Sequence, residues 1–551
     1  MADFDSIVIG SGAGGLTAAL ALAQAGQRVL VLEQHYVPGG WCHSFQLGDY
    51  RFSPGVHYLG ELGPGGRLRE IYEGLGVSRD LTFLELNPDG FDHVLIGDER
   101  FDIPKGRDVY ADRLKARFPH EARGIDGYFD KVETVSGELG AGLQASSALD
   151  LLALPFRMPT TIRHGLRSLD SVLSDHVQDP LLRAILSIQA GDHGLGPNQA
   201  PFAMHAAVTG HYFNGGWYPM GGAHTLPRAF VRALKRAGGE IRLSSPVDRI
   251  LTRREGRKQN AFGVRLTDGT EITAQRVISN ADPGITFQQM VGPENISRRL
   301  KARLARTRWS ISCVSLFGAL DLDVRALGYD SGNYWFNRDT DLNGAYAMAH
   351  DPKGLEMEEF PGLFLTLTTL KDPTKEKSGH HTFEAFGFIS SDAFRGWSNS
   401  TFGERPEDYE EMKKVVSGRM LRGLERILPG IGNHLVFQNL ATPLTNRHYV
   451  PSTHASIYGT EKSRGQLGPF SYDVATEIRN LWLCGASTLG HGVMGATASG
   501  LVAAARILKT RPGALLNQSG PSLPTYAADL PDTWPQKLQK KVGSPLTGSP
   551  V

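Results

Sequence analysis

Residues 5 to 33 constrain this chain most. They read Asp-Ser-Ile-Val-Ile-Gly-Ser-Gly-Ala-Gly-Gly-Leu, then a helix of small residues, then Arg-Val-Leu-Val-Leu-Glu. Ile7, Val8 and Ile9 form a short apolar run suited to a parallel strand buried on both faces. Gly10, Gly12 and Gly15 keep the spacing G-x-G-x-x-G, with Ala13 and Gly14 inside it. The first glycine permits a tight turn. The second lets backbone approach a pyrophosphate, and the third lets helix pack on strand. Ala18, Ala19, Ala21, Ala23 and Ala25 allow the helix to lie close to a sheet, and Gly26 is placed to end it. Val29 to Leu32 reads as a second strand. Glu33 closes it, where a carboxylate can accept from a ribose hydroxyl. A lone glycine motif is weak. Strand, helix, second strand and acid in order predict a Rossmann-like α/β unit that binds a dinucleotide.

The rest of the composition excludes several classes. With 551 residues, the chain has room for two or three domains or one interleaved pair. Lys+Arg 58 against Asp+Glu 57 leaves a net charge of +1, so no basic excess points to nucleic acid. No zinc-ligand spacing is present, and no metal site is expected. Cys42, Cys313 and Cys484 are scattered, without a disulfide framework, which fits a reducing compartment. The N-terminal apolar stretch, broken by Asp3, Asp5 and glycines, reads as strand and helix rather than a signal peptide. No run of about 20 apolar residues predicts a membrane span. The expectation is a soluble protein or one bound to a membrane surface.

The pattern changes along the chain. Residues 1–75 continue from the first unit into Pro38-Gly39-Gly40-Trp41, where paired glycines can lie against a flat or phosphorylated group. Residues 76–215 are mainly helical in pattern. Within them, 150–167 joins an apolar patch to Arg157, Arg163, His164 and Arg167. That segment could dip into an anionic bilayer surface, or it could be a buried hinge between helices. Residues 216–290 return to alternating helix and strand, with an Asp268-Gly269 turn. Residues 291–470 are mixed, with strands suggested at Cys313 to Leu320 and Leu363 to Leu370. A last strand ends at Gly485 and precedes a small-residue helix. The tail, 511–551, is rich in Pro, Ser and Gly and is expected to be poorly ordered. A cofactor domain built from 1–75, 216–290 and 471–510 is therefore expected. A substrate domain from 76–215 and 291–470 would be interleaved with it.

Four segments carry a resemblance. They are Val8 to His35, Gly39 through Tyr58, Phe202 through Gly222, and Val277 to Pro283. In these the chain resembles the FAD-dependent polyene oxidoreductases: phytoene desaturases, carotenoid cis–trans isomerases and retinol saturases. The likeness spans about residues 5 to 508. The third segment, with Lys371-Asp372-Pro373-Thr374 and Pro443-Leu444-Thr445-Asn446, looks most like retinol saturases. The stretch Gly485-Ala486-Ser487-Thr488 departs from them. Ser487 stands where they tend to carry an acid, and the stretch looks closer to bacterial phytoene desaturases. Saturation, isomerisation and desaturation all stay open.

The resemblance implies an α/β fold of amine oxidase/phytoene desaturase type, with a discontinuous FAD-binding domain and an α+β substrate domain. FAD would lie on Gly10, Gly12, Ala13, Gly14 and Gly15. Glu33 and Gln34 would meet its ribose end, and Gly39 and Gly40 would pass beside it. Val247 would stand at the adenine, and Gly485, Gly492, Val493 and Met494 at the flavin. No second complete unit of strand, G-x-G-x-x-G turn, helix, second strand and acid, like that at residues 5–33, exists for NADPH. Electrons would come from transient contact with NAD(P)H, a quinone, oxygen or a protein, unless net flow is absent. The expected substrate is a long apolar polyene, a carotenoid or retinoid. His57, Tyr58 and His491 are candidate catalytic groups, with a structural histidine the competing reading for His57. His211, Tyr212 and Trp217 are candidates for the substrate wall, with ordinary core packing the alternative. Expected placement is peripheral, on the cytoplasmic side of a membrane; the oligomeric state is open. Two other classes compete. One is a flavin amine oxidase, for which no lysine near the flavin or aromatic cage stands out. The other is a non-catalytic flavin or lipid carrier.

Overall fold

The computed structural model describes residues 2–142, 156–256, 258–377 and 379–543. Its first sheet grows from the strand Phe4–Ile9, which lies parallel to Val29–Leu32 on one side and to Glu271–Ser279 on the other. Ile7 pairs with Leu30 and with Val277, so three apolar residues share one row. Glu240–Arg242 extends one edge, and Leu481–Leu483 adds in parallel beside Glu271–Ser279. The antiparallel hairpin Val247–Glu255 and Lys258–Leu266 continues the sheet. Strands from three distant parts of the chain thus make one sheet.

Helices Ala13–Gln24 and Gly492–Ile507 pack on this sheet and on each other. Glycine permits that approach. A Cβ on Gly500 would stand 2.1 Å from the Gly14 carbonyl oxygen, well inside contact distance.

A second, mixed sheet of seven strands stands apart. Its order is Leu435–Ala441, Ser312–Leu320, His381–Ile389, Gly362–Leu367, Asn333–Asn337, Asp92–Ile96 and Glu99–Ile103. The suggested strand Leu363 to Leu370 ends earlier, at Leu367, and Thr368–Lys371 turns into a short helix. Register matters here. Trp335 pairs with Phe364, Phe364 with Phe386, and Phe386 with Ser315. Directly opposed residues share a face, so these four form one transverse row. Helices Ala122–Gly142, Pro159–His164 and Phe202–Tyr212 roof the same region. No helix among the described residues is long and apolar enough to cross a membrane.

The tail corrects an expectation. Up to residue 543 it is built into the fold. Thr525–Ala527 pairs parallel with Phe83–Glu85, whose other edge takes Trp217–Pro219. Leu523, Ala528 and Trp534 are buried, and Trp534 Nε1 donates to the Ala527 carbonyl at 2.7 Å. Prolines and serines lower a segment's own propensity. They do not prevent an edge strand when another segment supplies the ladder.

Candidate active site

One continuous cavity of about 1290 Å³ runs between the two sheets. A pocket for a single drug-sized ligand measures roughly 300–1,000 Å³, so this one has room for an extended dinucleotide and a second molecule.

Its first end is the glycine turn. Gly10 has φ +89° and its N–H donates to the Leu32 carbonyl. Gly10, Gly12, Ala13 and Gly14 border the cavity. Gly15 does not. A Cβ there would lie 2.1 Å from the Gly10 carbonyl, so this third glycine serves packing. Asn280 props the turn from below: a Cβ on Gly12 or Gly485 would come within 2.7 Å of its amide. Glu33 and Gln34 border the cavity beside Val247. Glu33 also ties the loops together, since its carboxylate accepts from Ser11 N, Ser11 Oγ and His35 N. Ser11 Oγ in turn accepts from Gly39 N at 3.0 Å. Gly39 and Gly40 both have positive φ, and a side chain on Gly39 would strike Pro227.

The far end is a second helix start. Gly492, Val493 and Met494 open the helix Gly492–Ile507, and no side chain caps it. The first helix also lacks a side-chain cap at Gly12. Two bare helix N-termini therefore face one cavity, each offering unpaired N–H groups and positive potential to an anionic or electron-rich group. This donor set, with glycines wherever a Cβ would intrude, fits an extended FAD. Its pyrophosphate would sit on the first helix and its ring beside Gly492 to Met494.

His491 directly precedes the second of these helices. Its Nε2 donates to the Asp192 carbonyl at 2.6 Å, which fixes the tautomer, because a carbonyl only accepts. Nδ1 has no partner among the described residues. Burial, reinforced by the Lys462 charge, holds this imidazole down to about 4, so it stays neutral. It is a poor proton donor at neutral pH.

His57 and Tyr58 also border the cavity. His57 Nδ1 lies 3.1 Å from Glu384 Oε2, and its ring sits against Phe364 and Phe386. Tyr58 stacks on Tyr212 with ring centres 4.3 Å apart. Tyr212 borders the cavity. His211 also borders the cavity, but its Nε2 accepts from Gly60 N at 2.9 Å, which makes it a clasp for that turn. Trp217 is a correction. It lies in the strand Trp217–Pro219, 1% exposed and bridged to Leu59, and does not reach the cavity. An aromatic in an apolar run shows burial, not which side it is buried on. Trp335, Phe364 and Phe386 form the aromatic wall instead.

Sequence reasoning missed the polar cluster behind this wall. Asp92, Asp192, Glu384 and Lys371 converge on His57 and Tyr58 from separate segments. Lys371 Nζ donates to the His57 carbonyl at 2.6 Å and to Asn333 Oδ1. Burial pulls Lys371 down to about 7, against the pull of Glu384 and Asp92. One signal was readable: Asp92 sits inside Phe91-Asp92-His93-Val94-Leu95-Ile96, a charged residue in a strand otherwise fit for the core.

The description flavin containing amine oxidoreductase matches residues 13–508. The chain is 31% identical over 539 residues to the all-trans-retinol 13,14-reductase of Danio rerio, covering 92% of this chain and 86% of the relative. It is 27% identical over 521 residues to the chloroplastic prolycopene isomerase 1 of an Oncidium hybrid cultivar, covering 92% and 84%. Among solved structures, putrescine oxidase bound to putrescine superposes with a TM-score of 0.61 at 16% identity, over 92% of this chain and 99% of that one. At that identity the likeness is one of fold.

Proposed function

Because the chain belongs to the flavin containing amine oxidoreductase family, we propose that it uses FAD to saturate or isomerise carbon–carbon double bonds of a long apolar polyene, a retinoid or carotenoid. The observation that carries this reading is the continuity of the cavity. The same cavity is lined by the dinucleotide cradle and by the aromatic row Trp335, Phe364 and Phe386. The relatives named as a retinol reductase and a prolycopene isomerase support the substrate class.

FAD, when bound, supplies hydride exchange at its ring. The chain does the rest. The glycine turn and Gly39–Gly40 admit the cofactor closely, and the aromatic row holds a flat conjugated chain. Tyr58 and Tyr212, stacked, border the same cavity.

The test is direct. FAD-loaded enzyme, reduced without oxygen, receives all-trans-retinol and a cis-carotenoid, and products are separated by chromatography. A product with one fewer double bond, or a changed geometry, is expected. Unchanged polyenes together with peroxide release from polyamines under air would replace this reading with amine oxidation.

The same reading includes a membrane contact. The segment 150–167 lies partly outside the described residues, which resume at Phe156. Phe156 is 87% exposed, Ile162 59% and Leu166 42%. Met158, Ile162 and Leu166 also border the cavity. Exposed apolar residues at a cavity rim, with Arg163 and His164 beside them, suit a bilayer from which an insoluble substrate enters. The double variant Phe156→Asp, Ile162→Asp should lower co-sedimentation with anionic vesicles by about tenfold or more, given roughly 1.5–3 kcal/mol per apolar side chain. Unchanged sedimentation would remove the membrane from the account.

A further inference from the structure

A phenol between two carboxyl groups shows where this site keeps a proton. Tyr58 Oη lies 3.0 Å from Asp192 Oδ2 and 3.1 Å from Asp92 Oδ2. A tyrosine hydroxyl has one hydrogen. It can donate to one carboxylate only. The other short contact would set bare oxygens against each other unless that carboxyl carries a proton and donates back to Tyr58. The trio therefore holds one more proton than three separate groups would at neutral pH.

The surroundings say which carboxyl holds it. Asp92 accepts from Asn333 Nδ2 at 2.9 Å and from Gln189 Nε2 at 3.3 Å, and Lys371 stands behind Asn333. Donors and a cation favour its ionised form. The Asp192 side chain has no partner but Tyr58 among the described hydrogen bonds. Its remaining exposure is to the cavity it borders. Burial, with Asp92 adding to it, pushes Asp192 up to about 8, while Asp92 is raised only to about 6. The other groups facing Asp192 do not supply a cation. Tyr212, Tyr346 and Tyr458 are neutral phenols, and His491 is the neutral imidazole bonded to the Asp192 carbonyl.

The backbone fixes this carboxyl at the reacting wall. Tyr458 Oη donates to the Gly191 carbonyl at 2.9 Å, and His491 holds the next one. Gly191 itself lies so close to Trp335 that a Cβ would stand 2.2 Å from the indole. Asp192 is thus placed between the flavin-proximal turn, Tyr58 and the aromatic row.

We propose that Asp192 is the proton donor of this site, delivering its carboxyl hydrogen to a polyene carbon, with Tyr58 and Asp92 as its charge partners. The proposal rests on the polyene reading given above. In saturation, one carbon of a double bond receives a hydride with its electron pair from reduced flavin. Asp192 turns its O–H from Tyr58 toward the cavity, and the π pair of that bond takes this proton at the neighbouring carbon. Two C–H bonds form; the π bond, the Asp192 O–H bond and the hydride-bearing N–H bond of the reduced flavin break, so the double bond is reduced by two electrons, the flavin is oxidised by the same two, and Asp192 is left as a carboxylate. Tyr58 then turns its hydrogen from Asp92 to Asp192 until solvent restores the proton.

The test uses FAD-loaded protein and two readouts. Infrared difference spectra between pH 6 and pH 10 should show a neutral carboxylic acid at the low-pH end, present in wild type and lost in Asp192→Asn. Saturated product from reduced enzyme should fall by about 100-fold or more in Asp192→Asn, the usual range for removing a general acid, and recover in part in Asp192→Glu. Flavin content and polyene binding should stay near wild type. A neutral-acid band that persists in Asp192→Asn, or full turnover in that variant, overturns the assignment. If wild type reduces no polyene, the functional reading fails, and the infrared band still decides whether Asp192 holds the proton.

Discussion

Replacing Gly14 with valine yields protein without flavin. Gly14 sits where three parts of the fold meet: a Cβ would stand 2.8 Å from Asn280 Oδ1, 2.8 Å from Gly485 N and 2.9 Å from the Ala496 carbonyl. Two of these are backbone atoms at the heart of the cradle, so no side chain can swing away to relieve the clash. The first helix must move off the sheet or off the last helix. Either shift misplaces the N–H groups that would meet the pyrophosphate. Flavin absorbance per mole of purified protein should fall to near zero, and activity with it. Wild type held at about 1,000 times the cofactor Kd gains about 4 kcal/mol of stability from binding, so the variant should also unfold earlier and ignore added FAD. A variant that purifies yellow, with FAD-dependent stabilisation intact, would show that the cofactor does not rest on this turn.

The second large effect is a pH slope. Asp192 in the folded chain is raised to about 8 from an ordinary 3.8. Between those values the folded chain keeps a proton that the unfolded chain has released. Stability from this group is complete below about pH 4 and is lost as pH rises through 8, at up to about 1.4 kcal/mol per pH unit. Lys371 and Lys462, both lowered to about 7 from 10.5, act with the opposite sign, since there the unfolded chain binds more protons. Stability from them rises between pH 7 and 10.5. Both lysines remain in Asp192→Asn, so their contribution largely cancels in the comparison. Urea midpoints at pH 5, 6, 7 and 8 should show wild type losing stability relative to Asp192→Asn by about 2–4 kcal/mol across the range. Parallel profiles would mean that Asp192 is ionised throughout.

These two cases differ in how far the sequence announces them. Gly14 was legible because a βαβ unit is local: strand, turn, helix and acid follow one another within thirty residues, and each has a residue type that only that job requires. The later halves of the cradle, at Val247 and Gly492 to Met494, became readable through resemblance. The proton site was not legible. Tyr58, Asp92 and Asp192 lie far apart in sequence, and nothing in their immediate neighbours says that one phenol will stand between two carboxyl groups. Trp217 misled because a strand in an apolar setting hides its aromatic equally well against the core or a ligand. The tail misled for a related reason. Its own composition speaks for an isolated chain, while its order comes from the waiting edge of Phe83–Glu85.

Gly14 and Gly500 touch across nearly the whole length of the chain. On a ribosome moving at about 5–20 residues per second, the first of these glycines waits roughly 25–100 s for the second. Until then the opening unit has its strands and helix but lacks the partner helix, and the far wall of the cradle does not exist. Such long-range closure is slow and leaves apolar surface uncovered meanwhile. Flavin can therefore be taken up only by a chain whose synthesis has passed Ile507, and chains cut short before that point stay colourless. Bound flavin is in effect a seal that certifies a chain made at least as far as the helix Gly492–Ile507.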